Sequence, residues 1–314
     1  MPPDPRHVTI LLCTLNGAAF LREQLASYLR QTHGNWSLWV SDDGSTDGTG
    51  DILAAFARDH GRANGGAHDI RLLRGPGRGG SAANFLSLLG HPDLPPGLVA
   101  LSDQDDIWLP GKLARALRCI PAGAAEPVIY SAQSFYIDGA GRRIGGSRPP
   151  PGAPVFATAM LQNVLAGHSM VLNAQALALV RAAGQPPVPF HDWWLTLLVT
   201  AAGGRAVLDR RRVLLYRQHG GNVMGAPGGL RAGLRRASLV LAQDYGTWVA
   251  ANARALQAAA PLLPAPQRAT VAAFLAAPRR AGPGRIALLR RLGLRRQGWR
   301  ATAVVYLAAL LGRV

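Results

Sequence analysis

The sequence predicts an α/β fold built on an open, mostly parallel β-sheet. Short apolar runs rich in β-forming residues alternate with segments whose apolar residues recur at helical spacing. This β-α-β-α order is typical of a parallel sheet whose strands are joined by crossover helices. Three of the apolar runs end in polar clusters, and in open α/β sheets ligands bind at the carboxyl ends of the strands. We therefore expect a ligand-binding edge on this sheet.

The first 110 residues supply the alternating elements. Residues 8–13 form a continuous apolar run, typical of a strand that is covered on both faces. Residues 20–29 place leucines at helical spacing, with charged residues free to face water. Similar patterns predict the elements that follow: strand 36–40, helix 51–57, strand 70–73, helix 82–89 and strand 98–101.

The middle of the chain is less regular. A strand is predicted over 128–136, and a strand or hairpin over 206–216. Between them lie a Pro- and Gly-rich loop at 149–152 and a helical run that ends near Ala202. The α/β pattern therefore extends to about residue 216.

The formal net charge of +17 is unevenly distributed. The chain has 34 Lys and Arg residues against 17 Asp and Glu residues. Residues 1–138 hold 11 basic and 14 acidic side chains, whereas residues 139–314 hold 23 basic and 3 acidic ones. A uniformly basic, histone-like protein is therefore excluded. A nucleic-acid-binding protein that uses the basic second part is the alternative function, although the sequence has no helix-turn-helix, zinc or RNP-like motif.

The C-terminal residues 228–314 differ from the rest of the chain in charge, with 14 cations and one acid, Asp244. Leucines and Ile286 interleave with arginines there and predict basic amphipathic helices, which favour an anionic membrane surface. Alternatively, the apolar faces of these helices pack on the first part of the chain or on a second subunit, so an oligomer stays open. We expect two domains, 1–227 and 228–314.

Neither a signal peptide nor a membrane span is expected. Residues 1–12 lack a basic n-region and a long apolar h-region, and no run of about 18 uninterrupted apolar residues occurs. Cys13 and Cys119 cannot build a disulfide scaffold, which indicates a reducing compartment. We therefore expect a cytoplasmic protein.

The sharpest local feature is the acidic cluster Asp103-Gln104-Asp105-Asp106, directly after a predicted strand. Its three carboxylates repel one another unless a cation is present, and Mg²⁺ or Mn²⁺ binds carboxylates together with phosphate oxygens. Such a cluster fits a metal shared with a diphosphate. Alternatively, Asp106 caps a helix that begins near Pro110, which needs no metal.

Other candidates are weaker when taken singly. Asp42 and Asp43 fit either a ligand site or a turn with a helix cap, and His219 fits either a metal ligand or a satisfied polar residue. Asp192 is more suggestive because its neighbours are His191, Trp193 and Trp194. An aromatic wall can raise the pKa of a carboxylate and can stack on a sugar ring, although either tryptophan fits the core equally well.

The ordered combination of motifs resembles the family 2 glycosyltransferases of the GT-A fold, over about residues 7–225. The motifs are T-L-N-G at 14–17, D-D-G-S-T-D at 42–47, D-Q-D-D-I-W-L-P-G-K at 103–112, A-G-H-S-M-V-L-N at 166–173, H-D-W-W at 191–194 and Y-R-Q-H-G-G-N at 216–222. The D-Q-D-D-I-W and H-D-W-W forms look most similar to bacterial rhamnosyltransferase-type enzymes of O-antigen and polysaccharide assembly.

This resemblance implies roles for the donor-side residues. Thr14 and Asn16 match the first nucleotide-contacting loop of the family, and the pair Asp42 and Asp43 matches the carboxylates that hold base and ribose. Asp103 matches the carboxylate that meets the ribose in the family's D-x-D. Arg78 and Asn84, in and after a Gly-rich loop, are further candidate donor contacts.

It also implies the metal, base and acceptor residues. Asp105 matches the metal-diphosphate carboxylate, and His219 matches a loop that closes near the diphosphate and helps to hold Mg²⁺ or Mn²⁺. Asp192 matches the general base. The candidate acceptor or substrate contacts are Gly167, His168, His191, Trp193 and Trp194.

The activity implied by the resemblance is inverting, metal-dependent transfer of a sugar from a nucleotide-diphosphate donor to a saccharide or lipid-linked acceptor. An inverting transfer needs a carboxylate to deprotonate the acceptor hydroxyl and a cation to neutralise the departing diphosphate. The resemblance points to dTDP-rhamnose as the donor and leaves UDP-hexoses open. Because lipid-linked acceptors lie in the membrane, we expect a peripheral position on the cytoplasmic face of the inner membrane.

Overall fold

A mixed β-sheet organises the chain. The computed structural model describes residues 6–77, 80–219, 240, 242–278 and 281–314, and within them the sheet has nine strands. The strands are β1 (Val8–Thr14), β2 (Trp36–Asp42), β3 (Ile70–Arg74), β4 (Leu98–Ser102), β5 (Ile107–Trp108), β6 (Val128–Ile137), β7 (Arg143–Gly146), β8 (Val171–Leu172) and β9 (Arg205–Arg217). Their order in the sheet is β3-β2-β1-β4-β8-β6-β9-β5, with β7 paired to β6.

Helices cover the sheet and fill the C-terminal part. Within the described residues they are α1 (Ala18–Leu29), α2 (Thr49–His60), α3 (Ser81–Leu89), α4 (Lys112–Cys119), α5 (Phe156–Ala159), α6 (Ala174–Ala183), α7 (His191–Ala201), α8 (Gln243–Ala258), α9 (Ala265–Ala276), α10 (Pro283–Arg291) and α11 (Trp299–Leu310). The α/β architecture predicted from the sequence is thereby confirmed.

The N-terminal half of the sheet is parallel, as its sequence predicts. Strand β1 is buried along its whole length between β2 and β4, which explains its unbroken apolar run. Thr14 pairs in register with Asp42, and Leu12 with Ser102. Because these parallel strands end together, the polar residues that follow each of them meet at one edge of the sheet.

The second half of the sheet turns mixed around β8, which runs antiparallel to both β4 and β6. Strand β9 is one continuous 13-residue strand, parallel to β6, so the strand alternative was right and the hairpin alternative wrong. The two-residue strand β5, which begins directly after Asp106, pairs with β9. Helix α4 begins only at Lys112, with Gly111 at its N-cap, so Asp106 is not a helix cap.

The C-terminal helices share their core with the sheet domain. Leu288, Leu289 and Leu294 are buried, and Leu289 and Leu294 belong to the same hydrophobic cluster as Trp193. The apolar faces predicted over 286–294 therefore pack on the first part of the chain, which was one of the two alternatives. The other leucine-rich basic stretch, residues 228–239, lies outside the described residues. Among the described helices, none combines the length and apolarity that crossing a bilayer requires.

An ion pair between the half-buried Arg115 and the buried Asp209 fixes α4 to β9. The Arg115 guanidinium donates two hydrogen bonds to the Asp209 carboxylate, one of them 2.8 Å long to Oδ1. The hydroxyl of Tyr130 donates a third, at 3.0 Å. Burial alone would raise the pKa of Asp209, but these hydrogen bonds hold it below its usual value. The pair matters to the functional edge of the sheet because α4 also carries Lys112.

We expect Arg115→Met to lower the free energy of unfolding by about 2–3 kcal/mol, since it leaves a buried carboxylate without its charged partner. Urea unfolding measures this. Because the folded pKa of Asp209 lies below its unfolded value of about 3.9, the stabilisation is present above that pH and is lost as the pH falls through the folded pKa. The difference between wild type and variant should therefore shrink in acid; a pH-independent difference would contradict the ion-pair explanation.

Candidate active site

The loops after β1, β2 and β4 form one polar surface. Thr14, at the end of β1, donates a 2.7 Å hydrogen bond from its hydroxyl to Oδ1 of Asp42. Ser45 donates to the same carboxylate from both its hydroxyl and its backbone N–H. Burial alone would raise the pKa of Asp42, but these hydrogen bonds lower it below its usual value. Asp42 is therefore an oriented, ionised carboxylate.

Asn16 shapes the first loop. It adopts a left-handed backbone conformation (φ 51°), which asparagine tolerates better than most residues. Its backbone N–H donates to Oγ of Ser45 at 2.8 Å, and its side-chain oxygen accepts from the backbone N–H of Thr46 at 2.9 Å. The loops after β1 and β2 are thus joined, which brings together Thr14, Asn16 and Asp42 as the motifs predict.

The glycines after β3 allow a close approach to Asp43. The backbone N–H of Gly77 donates to Oδ1 of Asp43 at 2.6 Å, and a Cβ at Gly75 would lie only 2.8 Å from the same oxygen. Arg78, a candidate donor contact in this loop, lies outside the described residues. Asn84, the other candidate, is buried and exchanges hydrogen bonds with Ser41, so it supports the end of β2.

Gln104 joins the acidic cluster to the first loop, a role that sequence analysis missed. Its side-chain oxygen accepts from the backbone N–H of Leu15 at 2.8 Å, and its amide nitrogen donates to the Leu15 carbonyl at 3.0 Å. A Cβ at Gly17 would overlap the Gln104 side chain. Glycine at 17 is therefore required for this contact, and the G of T-L-N-G and the Q of D-Q-D-D form one structural unit.

The acidic cluster is buried to different degrees. Asp106 is fully buried, and its Oδ2 has no hydrogen-bond partner among the described residues. Burial, together with the charges of Asp105 and Asp103, raises the pKa of Asp106 well above its usual value. Burial and the charges of Asp105 and Asp192 raise the pKa of Asp103 to about 7. Four carboxylates thus lie close enough to repel one another.

A buried lysine, Lys112, opposes this negative charge. Its ammonium nitrogen lies 3.2 Å from the centre of the Trp108 ring and donates to the backbone carbonyl of His168 at 2.9 Å. Burial lowers the pKa of Lys112 well below its usual value, whereas the nearby charges of Asp106 and Asp103 raise it. Lys112 is the only lysine of the chain, and it was not singled out from the sequence as a site residue.

Two groups of side chains could hold a divalent cation. The first is the predicted pair, because Nε2 of His219 lies 2.7 Å from Oδ2 of Asp105. The second consists of Asp103, Asp106 and His168, whose ligand atoms all lie within 4.8 Å of one another. The orphaned oxygen of Asp106 and the clustered carboxylates fit a cation chemically. The Lys112 amine, however, lies close enough to this second group to lower the pKa of Asp103 and of Asp106.

Arg217, at the end of β9, holds His219 and the acidic cluster in place. It is only 1% exposed, and its guanidinium donates to the carbonyl of Asp105 at 3.1 Å and to the carboxylate of Glu23 at 3.0 Å. Its backbone N–H donates to Asp106 at 3.3 Å. The cation also lies 4.6 Å above the ring of Phe20, which itself packs against His219. Arg217 is the arginine of the Y-R-Q-H-G-G-N motif, but it was given no role from the sequence, because a motif does not show which distant residues a side chain contacts.

Asp192 lies in the first turn of α7, where the helix dipole favours a carboxylate. Its Oδ1 accepts from the side-chain amide of Asn163 at 2.9 Å and from the backbone N–H of Trp193 at 2.7 Å. Among the described residues, only the backbone N–H of Gly167 donates to its Oδ2, and that bond is long at 3.3 Å. The orientation of Asp192 is therefore fixed, while Oδ2 keeps capacity for a further donor.

His191 and Gly167 pack beside Asp192. The buried imidazole of His191 packs 4.2 Å from the Phe85 ring, and its burial lowers its pKa. A Cβ at Gly167 would lie 2.6 Å from Nε2 of His191, so glycine permits the close contact between the two segments. The structure thus brings Gly167, His191 and Asp192 together, as the sequence predicts.

The tryptophans correct one expectation. Trp193 and Trp194 are 3% and 0% exposed and lie in the hydrophobic core, and the indole N–H of Trp193 donates to the carbonyl of Ala159. Neither ring has a face free to stack on a sugar, so the core alternative applies to both. His168 is also engaged: it hydrogen-bonds to Ser134 and stacks on Tyr216, and burial lowers its pKa to about 3.

Comparison with known proteins shows that a chain with this fold and this edge is a glycosyltransferase. Residues 9–173 match the model of glycosyl transferase family 2, which is more than half of the chain. The chain therefore belongs to this family. It is rhamnosyltransferase-like: it is 27% identical to the dTDP-rhamnosyl transferase RfbG of Shigella flexneri over 250 residues, which cover 78% of this chain and 84% of that protein.

Two solved structures share the fold at low sequence identity. The S. aureus TarS 1–349 structure in complex with UDP has a TM-score of 0.56 and 13% identity, over 86% of this chain and 70% of that one. The mannosyltransferase PcManGT from Pyrobaculum calidifontis, in complex with GDP-Man and Mn²⁺, has a TM-score of 0.53 and 18% identity, over 99% of this chain and 86% of that one. Both confirm the GT-A type of fold.

The support by Arg217 can be tested with a conservative change. We expect Arg217→Lys to lower the free energy of unfolding by about 2–4 kcal/mol, because an ammonium keeps the charge but cannot reproduce the guanidinium's separate bonds in a buried site. Arg211→Lys, at an exposed position of the same strand, should change it by less than about 0.5 kcal/mol. Equal effects of the two variants in urea unfolding would show that Arg217 has no special role.

Proposed function

We propose that the chain catalyses inverting sugar transfer with Asp192 as the general base. The observation that carries this proposal is the placement of Asp192, whose charge acts on Asp103 across the site while Asn163 and Gly167 fix its carboxylate. One oxygen keeps capacity to accept the proton of an acceptor hydroxyl as that hydroxyl attacks the anomeric carbon. Attack from the face opposite the leaving group inverts the configuration without a covalent intermediate.

The donor nucleotide is proposed to bind at the edge formed by the loops after β1, β2 and β4. Thr14 and Asn16 shape the first loop, Asp42 and Asp43 accept hydrogen bonds from base and ribose, and Asp103 meets the ribose. The oriented carboxylate of Asp42 and the close packing of glycines around Asp43 support these roles. Domain 1–227 would then contain the whole donor site, with 228–314 as an extension.

The metal is proposed to be Mg²⁺ or Mn²⁺, held by Asp105 and His219 together with diphosphate oxygens. When bound, it neutralises the charge that develops on the departing diphosphate. Asp105 and His219 already lie in hydrogen-bond contact, and Arg217 fixes the strand end that positions His219. The other acidic group has Lys112 beside it, which favours Asp105 and His219 as the cation site.

The acceptor is proposed to enter beside Asp192 and Gly167, with His168 in the layer behind them. The similarity to the dTDP-rhamnosyl transferase of Shigella flexneri supports dTDP-rhamnose as the donor and a saccharide or lipid-linked acceptor of O-antigen or polysaccharide synthesis. A lipid-linked acceptor would place the protein on the cytoplasmic face of the inner membrane. Family membership leaves the alternative, a nucleic-acid-binding protein, without an observation in its favour.

The base role of Asp192 can be tested with Asp192→Asn. We expect kcat to fall by about 10²- to 10⁴-fold, because the amide cannot accept the acceptor proton, while binding of the nucleotide sugar is retained. Release of nucleoside diphosphate from dTDP-rhamnose in the presence of membrane-extracted acceptor measures turnover. The exposed Asp59→Asn is the matched control and should leave turnover unchanged. Undiminished turnover of the Asp192 variant would remove it from the base role.

The metal role of Asp105 makes a separate prediction. Asp105→Asn should weaken binding of dTDP in the presence of Mn²⁺ by about ten-fold or more, because one charged oxygen ligand is lost. In the presence of EDTA the variant and wild type should bind dTDP almost equally. Calorimetric titration with and without Mn²⁺ gives both values, and a metal-independent loss of affinity would assign Asp105 to nucleotide contact alone.

A further inference from the structure

The outer face of α11 is apolar although it faces solvent. Trp299 is 76% exposed, and Leu307, Leu310 and Leu311 are 46%, 43% and 54% exposed. Residues 299, 303, 307 and 310 recur at helical spacing and lie on one face, opposite the buried Val305, Ala308 and Ala309. A surface helix usually places charged residues on its outer side, but Arg300 is the only charged residue within α11.

Helices α10 and α11, which precede and carry this apolar face, are rich in arginine and lack acidic residues. Residues 245–314 contain 11 arginines and no aspartate or glutamate. Arg290 and Arg291 end α10, and Arg295 precedes α11; all three are exposed, as is Arg300, whose guanidinium lies 5.2 Å from the centre of the Trp299 ring. The combination of an apolar helix face, an exposed tryptophan and a rim of arginines matches the chemistry of an anionic bilayer interface.

An open pocket of about 480 Å³ lies at the start of this face. Its lining includes Arg295, Arg296, Trp299, Thr302 and Tyr306. Its size, with two arginines and two aromatic residues in its lining, suits a phosphate-bearing headgroup. The phosphate would lie near the arginines, and acyl chains could follow the apolar face along α11.

We propose that the outer face of α11, formed by Trp299, Leu307, Leu310 and Leu311, docks the protein on an anionic phospholipid bilayer, with Arg290, Arg291, Arg295 and Arg300 contacting the headgroups. A symmetric contact between two copies would set arginine against arginine, with no acid between residues 245 and 314 to compensate. Nucleic acid would use the arginines but would leave the leucines exposed. A bilayer satisfies both parts of the surface.

The sequence left two alternatives for the periodic apolar residues of 286–294, an anionic membrane surface or packing within the protein. Packing within the protein applies, because Leu289 and Leu294 lie in the core and Ile286 and Leu292 pack against it. We therefore place the docking surface on α11.

This surface is connected to the acceptor side of the site. The backbone N–H of Gln297 donates to the side chain of Gln162 at 2.9 Å, and the next residue, Asn163, donates to Asp192. The side chain of Gln297 also donates to the carbonyl of Gly152. Docking would therefore bring the base close to the bilayer surface from which a lipid-linked acceptor extends; this step rests on the proposed function.

The test is vesicle flotation with the full chain. Phosphatidylcholine vesicles that contain phosphatidylglycerol should bind the wild type, and pure phosphatidylcholine vesicles should bind it much less. The double change Leu307→Ser with Leu310→Ser should reduce binding by about ten-fold, because the buried apolar area falls. Leu29→Ser with Leu72→Ser, at 41% and 43% exposure elsewhere on the surface, is the matched control and should bind like the wild type.

Trp299 provides a second readout. Acrylamide quenching of its fluorescence should decrease when anionic vesicles are added, and Trp299→Phe should lose most of this change, since the tryptophans at 36, 39, 108, 193 and 194 are buried and Trp248 is partly buried. Arg290→Gln with Arg291→Gln should weaken flotation and its dependence on salt.

Several results would overturn the inference. Equal flotation of the α11 variant and its control would do so, as would unchanged quenching of Trp299. So would a wild-type dimer in sedimentation that the leucine changes dissociate, or a loss of DNA binding rather than of lipid binding in the leucine variant. Binding of dTDP with Mn²⁺, measured by thermal shift, should be the same for all these variants. Variants that lose flotation but still bind dTDP would therefore show an effect on docking alone. A wild type that fails to bind dTDP would instead contradict the proposed function.

Discussion

The accumulation of carboxylates at one edge of the sheet is the constraint on which the rest of the structure depends. The charges of Asp105 and Asp192 act on Asp103, and those of Asp105 and Asp103 act on Asp106. Burial adds to the cost of keeping Asp103 and Asp106 charged. A buried group of carboxylates without a compensating positive charge would destabilise the folded protein. Lys112 therefore lies inside the protein, against an aromatic ring and a backbone carbonyl, where few lysines are found.

Two structural supports follow from this constraint. Helix α4 carries Lys112 and is itself fixed by Arg115 and Asp209, so an ion pair remote from the site determines where the lysine lies. Strand β9 ends in Arg217, whose guanidinium donates to the backbone carbonyl of Asp105 and whose backbone N–H donates to the carboxylate of Asp106. Both supports involve β9, which explains why such a long strand crosses from the α4 side of the sheet to the candidate metal site.

The C-terminal helices are coupled to the same edge through the core. Helix α7 presents Asp192 at its first turn, and the tryptophans that follow are packed among core residues that include Tyr245 of α8. The segment 152–163 lies between α7 and the residues before α11. Asp192 is therefore positioned by the N-terminal part of the chain and the C-terminal helices together.

The sequence by itself determined the alternating elements, the edge at which the polar loops meet, and the family, because strand and helix periodicities and local motif chemistry are written in neighbouring residues. Only the tertiary structure decided which contacts cross the fold. Gln104, Lys112 and Arg217 act on residues far away in the chain, and a motif gives no sign of such partners. The same reason explains Trp193 and the C-terminal leucines: an apolar face indicates that something covers it, but its periodicity cannot distinguish a sugar, a membrane or the protein's own core.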